Sequence, residues 1–381
     1  MSSEGLARVD SIIEAAIADS AASAAALAIG RYGKLVSLRG FGELAYGSGR
    51  EALPTSIFDL ASVSKVVGTT TAVMMLVAEG VLDLDAPVVN YLPWWARGDE
   101  RKREVTVRQL LLHRAGLAPF RQWFFEFEGV SAYQDAVADE PLEAEPGVAT
   151  VYSDIGVMTL AWVVEELAGQ RLDQFLQERL FGPLGMRETG YLPESSLLSR
   201  IAATELDTVW RDQLVWGRVH DENADAMGGV AGHAGLFSTA LDLSVFARMM
   251  LNGGIAPACL PGEEAGEPCP VARLSDVTVL ERSVQEVFTS RYDDTSSRAL
   301  GWDTPSGQSS AGDYLTSQAY GHTGYTGTSL WIDPELDLWV VLLTNRVHPT
   351  RENQKHVPLR RAVHDATALA ITDQSIQQRQ P

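Results

Sequence analysis

Cysteine, lysine and long apolar runs are all scarce in this 381-residue chain, and each scarcity removes a class of explanation. The two cysteines, Cys259 and Cys269, stand ten residues apart in the Pro/Gly/Glu-rich stretch Pro257 to Pro270. They could clip that loop in an oxidising compartment or remain free thiols, but they have neither a CxxC redox spacing nor a metal-ligand spacing. Thirty basic residues against fifty acidic ones leave a net charge of −20, which repels phosphate backbones and acidic membrane surfaces and argues against a nucleic-acid partner. A preference for cationic substrates is one reading of that charge, and a solubilising acidic surface is the simpler one. A bilayer span needs about twenty largely apolar residues. The nearest stretch, Val66–Leu82, is interrupted by Gly68, Thr69, Thr70, Thr71, Glu79 and Gly80 and reads as a buried core helix.

At 45% hydrophobic and 21% charged residues, the composition is that of a globular chain with one large two-lobed domain or two domains. Met1 to Leu27 carries Glu4, Asp10, Glu14 and Asp19 among Ile12, Ile13, Ala16 and Ile17 at helical spacing, an amphipathic helix rather than a signal peptide. The expected location is cytoplasmic for the chain as it stands, and periplasmic or secreted if a signal peptide was removed. Ala24–Arg31 and Lys34–Leu44 read as two strands joined at Tyr32-Gly33. From Ser62 to about Leu251 the pattern turns helical, with apolar periodicity in Val105–Leu112, Ile155–Leu167, Leu172–Leu180 and Leu241–Leu251. Ser329–Asp333 and Leu338–Thr344 form a second hairpin around Pro334-Glu335-Leu336-Asp337, and Leu359–Ile371 reads as a closing helix. The expected fold class is therefore α+β: an antiparallel sheet built from both termini and flanked by helices, with a mostly helical lobe inserted. The sheet lobe would comprise residues 1–61 and 285–381, the helical lobe 62–284, and a cleft would lie where they meet.

What the chain does contain is Ser62-Val63-Ser64-Lys65 at the head of that apolar helix. Ser62 and Lys65 would sit one turn apart on one face. A serine hydroxyl is a weak nucleophile until a neighbour takes its proton, and a lysine does so only when burial and nearby charge lower its pKa. Backbone N–H groups at the helix N-terminus favour a developing oxyanion. Ser-x-x-Lys is common by accident on helices. Here, however, only Lys34, Lys65, Lys102 and Lys355 occur, so a lysine opening an apolar helix needs a reason.

Two further segments would face that helix start. In Tyr152-Ser153-Asp154, Tyr152 and Asp154 could both point off a loop into the cleft, and a phenol near a cationic lysine ionises more easily and can relay a proton. The plainer reading makes Ser153 or Asp154 the N-cap of the next helix and packs Tyr152 against the lobe. In Tyr320-Gly321-His322-Thr323-Gly324-Tyr325, the glycines let a strand run close to a substrate, to which His322 and Thr323 would offer donors; the plainer reading is a polar loop before an edge strand.

Taken in order, Ser-x-x-Lys, Tyr-x-Asp and His-Thr-Gly resemble the serine β-lactamase and penicillin-binding-protein superfamily, in its class C-like branch with esterases and peptidases. The likeness covers most of the chain, including Thr106 to His113 and Gly229 to Thr239. It implies an acyl-enzyme on Ser62, with Lys65 as base or as the group that holds Tyr152 reactive. Asp154, His322, Thr323, Gly324 and Tyr325 would contact substrate, and the N–H groups of Ser62 and Tyr325 would form the oxyanion hole. Asp154 stands where an asparagine is common and His322 where a lysine is usual. Both changes are expected to weaken the grip on a substrate carboxylate, so ester or peptide-like substrates become at least as plausible as β-lactams. No Glu-x-x-x-Asn deacylation motif is present, which leaves Tyr152 to help activate the deacylating water. The expected partner is a small-molecule or peptide-like substrate, and no cofactor is called for.

Two rivals can be set against this reading. His220, with Asp221, Glu222 and His233, holds metal-capable side chains, but without the HExxH spacing or a histidine pair one helical turn apart, so no metal is assigned. A penicillin-recognising sensor that does not turn over would be signalled by a broken Ser62, Lys65 or Tyr152, and all three are present. His113 and Arg114 read as a helix C-terminal feature. Trp94, Trp95, Trp123, Phe124 and Phe125 read as core packing rather than a substrate entrance.

Overall fold

The computed structural model describes residues 1–256 and 278–379, so Cys259 and Cys269 lie outside the described residues. Helix α1 (Ser3–Ala18) leads into β1 (Ala24–Arg31) and β2 (Lys34–Gly42), and the chain returns at its other end as β3 (Tyr320–Thr323), β4 (Ser329–Asp333) and β5 (Leu338–Thr344). These five strands form one antiparallel sheet in the order β2-β1-β5-β4-β3, so the two termini do build a common sheet. β1 is buried along its whole length, flanked by β2 and by β5, where Leu27 sits opposite Leu342 and Ala28 opposite Val341.

Alternation along these strands sorts the core onto two faces. Ala25, Leu27, Ile29, Val340 and Leu342 pack with Val9 and Ile13 of α1 and with Leu359 and Val363 of the closing helix, His356–Leu369. Ala24, Ala26, Ala28, Val341 and Leu343 turn the other way, into a larger core shared with the helical segment. Each fully buried Leu or Val contributes about 1.5–3 kcal/mol, so a one-residue slip would forfeit many kcal/mol. Gly30 is required here, because a Cβ would lie 1.8 Å from the Trp339 ring.

Between the hairpins the chain is mainly helical. The stretch after Ser62 is helical and buried, as its composition requires, but Lys65–Thr70 is a wider π-helical turn before α2 (Thr71–Ala78) begins. Thr71 Oγ1 donates to Val66 O at 2.8 Å within that turn. Helix α3 (Asp154–Ala168) is buried over most of its length and is capped by Ser153, whose Oγ accepts from Gly156 N. Helix α4 (Ala240–Leu251) packs against β1 and β5 rather than only against other helices. Among the described residues, no helix is long and apolar enough to cross a membrane.

Candidate active site

Ser62 sits on a tight turn between a two-residue strand, Phe58–Asp59, and the π-helical turn. The preceding residue, Ala61, has φ +46°, unusual for a residue with a Cβ. Contacts from distant segments hold this conformation. Asp59 Oδ1 accepts from Ala61 N at 2.8 Å and Oδ2 from His220 N at 2.7 Å. Leu60 N donates to Leu236 O, while Thr326 Oγ1 and Thr328 Oγ1 donate to Asp59 O and Leu60 O, each at 2.8 Å. The Ser62 turn is thereby fastened to the loop after β3 and to the segments around His220 and Leu236.

Lys65 is 2% exposed, and its ammonium meets three oxygens. Nζ donates to Ser62 Oγ and to His233 O, both at 2.8 Å, and stands 2.7 Å from Asp154 Oδ1 in an ion pair not aligned as a hydrogen bond. It also lies 5.1 Å from the centre of the Tyr152 ring. Burial alone would lower the Lys65 pKa, but the Asp154 carboxylate and the Tyr152 phenol together outweigh it and raise the pKa above the ordinary lysine value. The surroundings of Lys65 thus favour its ammonium form, because the group that reaches it from the start of α3 is a carboxylate. Asp154 pairs with Lys65 and is 18% exposed. Ser153 is the N-cap of α3, and Tyr152 and Asp154 nonetheless both reach the Ser62 site.

His322 lies on the edge strand β3, where it is 4% exposed. Its Nδ1–H donates to Thr323 O at 2.8 Å, which leaves Nε2 as a lone-pair acceptor. Burial, then the charges of Arg298 and Lys65, hold its pKa well below the usual histidine range, so the ring is neutral at neutral pH. Gly324 approaches backbone rather than open space: a Cβ would fall 2.1 Å from Thr328 Oγ1 and 2.3 Å from Leu60 O. Two cavities open beside Ser62, and Ser62, Tyr152 and Tyr325 border both. One, of about 360 Å³, is also bordered by His322, Thr323, Gly324, Asp303 and the guanidiniums of Arg298, Arg346 and Arg360. The other, of about 300 Å³, is bordered by Phe120, Asp154, Asp221, Glu222 and Arg351.

The profile of the beta-lactamase family matches residues 9–365, which takes in every one of these groups. The chain belongs to the beta-lactamase family. This beta-lactamase-family chain is a serine hydrolase. It is 32% identical over 382 residues to an N-acetylmuramyl-L-alanine amidase of Bacillus subtilis (strain 168), an overlap of 91% of this chain and 82% of that protein. In fold it is similar to EstCE1, a hydrolase with promiscuous acyltransferase activity, with a TM-score of 0.73 and 21% identity over 96% of this chain and 99% of that one. It is likewise similar to the beta-lactamase/D-alanine carboxypeptidase of Pseudomonas syringae, with a TM-score of 0.72 and 19% identity over 95% and 99% of the two chains. These two likenesses bear on the fold alone.

Several groups in this beta-lactamase-family site escaped the sequence reading. His113 is more than the end of a helix: it is buried with φ +56°, accepts from Ser153 N at 3.1 Å through Nδ1, and packs its ring 4.6 Å from that of Tyr152. Arg298 stacks its guanidinium 5.1 Å above the same ring, and its Nη1 is buried without a hydrogen-bond partner. Arg346 donates to Tyr325 O at 2.6 Å, and Arg360 to the carbonyls of Gly324, Gly327 and Thr328. Among the described residues none of these three arginines pairs with a carboxylate. Nothing in the local sequence marks them, since they come from three separate stretches. The expected loss of positive charge at His322 is therefore offset from elsewhere in the chain. His220 and His233 sit in separate pairs, with Glu205 at 2.9 Å and Asp221 at 2.9 Å. Trp95, Trp123 and Phe124 are core residues, whereas Phe125 is exposed.

Proposed function

We propose that the protein is an acyl hydrolase that forms a covalent acyl-enzyme on Ser62 and cleaves ester, β-lactam or D-amino-acid peptide bonds in substrates carrying a carboxylate. The observation that carries this reading is Ser62 Oγ held 2.8 Å from a buried ammonium, at the mouth of a cavity with three guanidiniums that have no carboxylate partner among the described residues. Guanidiniums bind carboxylates in a fork geometry, and burying Arg346 and Arg360 beside a half-buried Arg298 without a counter-ion is costly unless a ligand supplies one. Ser62 is the nucleophile. Lys65, as an ammonium, orients its oxygen and stabilises the alkoxide that develops there. The N–H groups of Ser62 and Tyr325 make no hydrogen bond to a described residue and supply the oxyanion hole. Thr323 lines the cavity as a donor to substrate. In deacylation, Tyr152 takes part in activating water.

The test is a panel of nitrocefin, p-nitrophenyl esters and D-amino-acid peptides run on the wild type and Ser62→Ala, with intact-mass spectrometry during turnover. The expected result is a transient acyl adduct on the wild type and loss of turnover in the variant. Undiminished turnover by Ser62→Ala would refute the covalent mechanism, and a stable adduct without product release would make the protein a sensor instead of an enzyme.

A further inference from the structure

The Ser62 and Tyr325 N–H groups sit in two tight turns from opposite ends of the chain. Ser62 lies inside the turn closed by Val63 N donating to Leu60 O at 3.1 Å. Tyr325 lies inside the turn closed by Gly327 N donating to Gly324 O, also at 3.1 Å. Such a turn uses the amide of its fourth residue and leaves the amides of its two central residues without a partner in the turn. Neither turn by itself fixes how far apart the two donors stand. Two hydroxyls bridge them: Thr326 Oγ1 donates to Asp59 O and Thr328 Oγ1 to Leu60 O, each at 2.8 Å, from side chains that are 1% and 0% exposed. Leu60 O therefore accepts both the amide that closes the Ser62 turn and a hydroxyl reaching across from the Tyr325 loop. From behind, Arg346 Nε donates to Tyr325 O at 2.6 Å, and Arg360 donates to the carbonyls of Gly324, Gly327 and Thr328. These guanidiniums tie the loop to the end of β5 and to the closing helix. Among the described residues, the two threonine hydroxyls make the only hydrogen bonds from the loop to Asp59–Val63.

We propose that Thr326 and Thr328 are positioning residues of the oxyanion hole, setting the place of the Tyr325 N–H relative to the Ser62 N–H. The proposal rests on the reading of Ser62 as the acylated residue. Oxyanion-hole donors act at roughly 2.7–3.1 Å from the oxygen that becomes anionic, and a misplacement of about 1 Å can cost about 100-fold in rate. Neither threonine borders the two cavities beside Ser62, so neither touches the substrate itself. Their hydroxyls act through backbone, by locking one turn to the other before the substrate arrives. Gly324 permits that closeness, since a Cβ there would meet both Leu60 O and Thr328 Oγ1.

The experiment measures single-turnover acylation by a p-nitrophenyl ester and by its thionoester, in which sulfur replaces the carbonyl oxygen. The proteins are the wild type, Thr326→Val, Thr328→Val, Thr326→Ser and Thr328→Ser. Sulfur is a weak hydrogen-bond acceptor, so well-placed N–H donors favour the oxygen ester, and the oxygen-to-sulfur rate ratio reads the oxyanion hole itself. Valine keeps the shape of threonine without its hydroxyl, and serine keeps the hydroxyl. Each valine variant should acylate with the oxygen ester about 10- to 100-fold more slowly, with KM changed less than about threefold and the ratio reduced about tenfold or more. Both serine variants should stay within about threefold of wild type in all three quantities. Thermal melts establish folding, and Thr326→Ala or Thr328→Ala takes the place of a valine variant that does not fold. The assignment is wrong if the folded valine variants acylate within about threefold of wild type, if they slow both esters equally, or if the serine variants lose the ratio too. Ser62→Ala in the same assay separates the two readings. If it is inactive while the valine variants match wild type, only the positioning role falls; if it remains active, the acyl-enzyme falls with it.

Discussion

Replacing Asp154 by asparagine tests whether Lys65 is a held ammonium. The pair is 2.7 Å apart, with Lys65 2% and Asp154 18% exposed. Breaking a buried pair costs about 3–5 kcal/mol, and the wet edge of Asp154 argues for the lower end, about 3 kcal/mol. At about 2.1 cal/mol/K per residue, unfolding 381 residues carries about 0.8 kcal/mol/K, so Asp154→Asn should melt roughly 4 °C lower. The pH dependence follows from the direction of the Lys65 shift. A lysine whose folded pKa is raised contributes stability that is complete below its unfolded pKa of 10.5 and is lost as pH climbs through the folded value. The stability gap between wild type and variant should therefore be flat from pH 6 to 9 and shrink only above about 10.5. Urea and thermal unfolding of both proteins at pH 6, 7.5 and 9 measure it. A gap below about 1 kcal/mol, or one that decays between pH 7 and 9, would mean that Lys65 titrates near neutrality, and the argument against a lysine base would fail.

Two further outcomes are expected. Arg298→Ala should raise KM by about tenfold or more for D-amino-acid peptides with a free carboxylate, the scale of a lost charge-assisted contact, and leave uncharged p-nitrophenyl esters nearly unchanged; equal effects on both would show that Arg298 does not read the carboxylate. Gly324→Ala forces a Cβ to within 2.3 Å of Leu60 O and 2.1 Å of Thr328 Oγ1, so it should cost about 1–3 kcal/mol and slow acylation by displacing the Ser62 turn. A variant that melts and acylates like wild type would disprove that linkage.

The hairpins were legible because strand alternation and turn chemistry are local. Ser329–Asp333 and Leu338–Thr344 have the bounds read from the sequence, and the first hairpin differs only in ending at Gly42 rather than Leu44. Helices were legible as apolar stretches but not in their winding. The turn at Lys65–Thr70 is π-helical, and Leu172–Leu180 divides into an α-helical part and a π-helical turn at Gln177–Phe181, because winding responds to what a helix packs against. In the site, Ser62, Lys65, Tyr152, Asp154 and His322 were visible as short motifs. Their electrical states were not. The pairing of Asp154 with Lys65 was not legible, because the two are 89 positions apart in the chain.

From composition and spacing alone followed an α+β chain with a serine and a lysine one turn apart, a tyrosine on a loop, and a His-Thr-Gly strand edge. These depend on local periodicity and on residues a few positions apart, and such information is carried along the chain. Tertiary structure decided that Lys65 meets the Asp154 carboxylate, that Arg298, Arg346 and Arg360 converge on the Ser62 cavity, and that His113 and His322 both lie against Tyr152. Charge, solvation and proton affinity are set by everything within a few ångströms, and folding gathers those neighbours from stretches that share no local pattern.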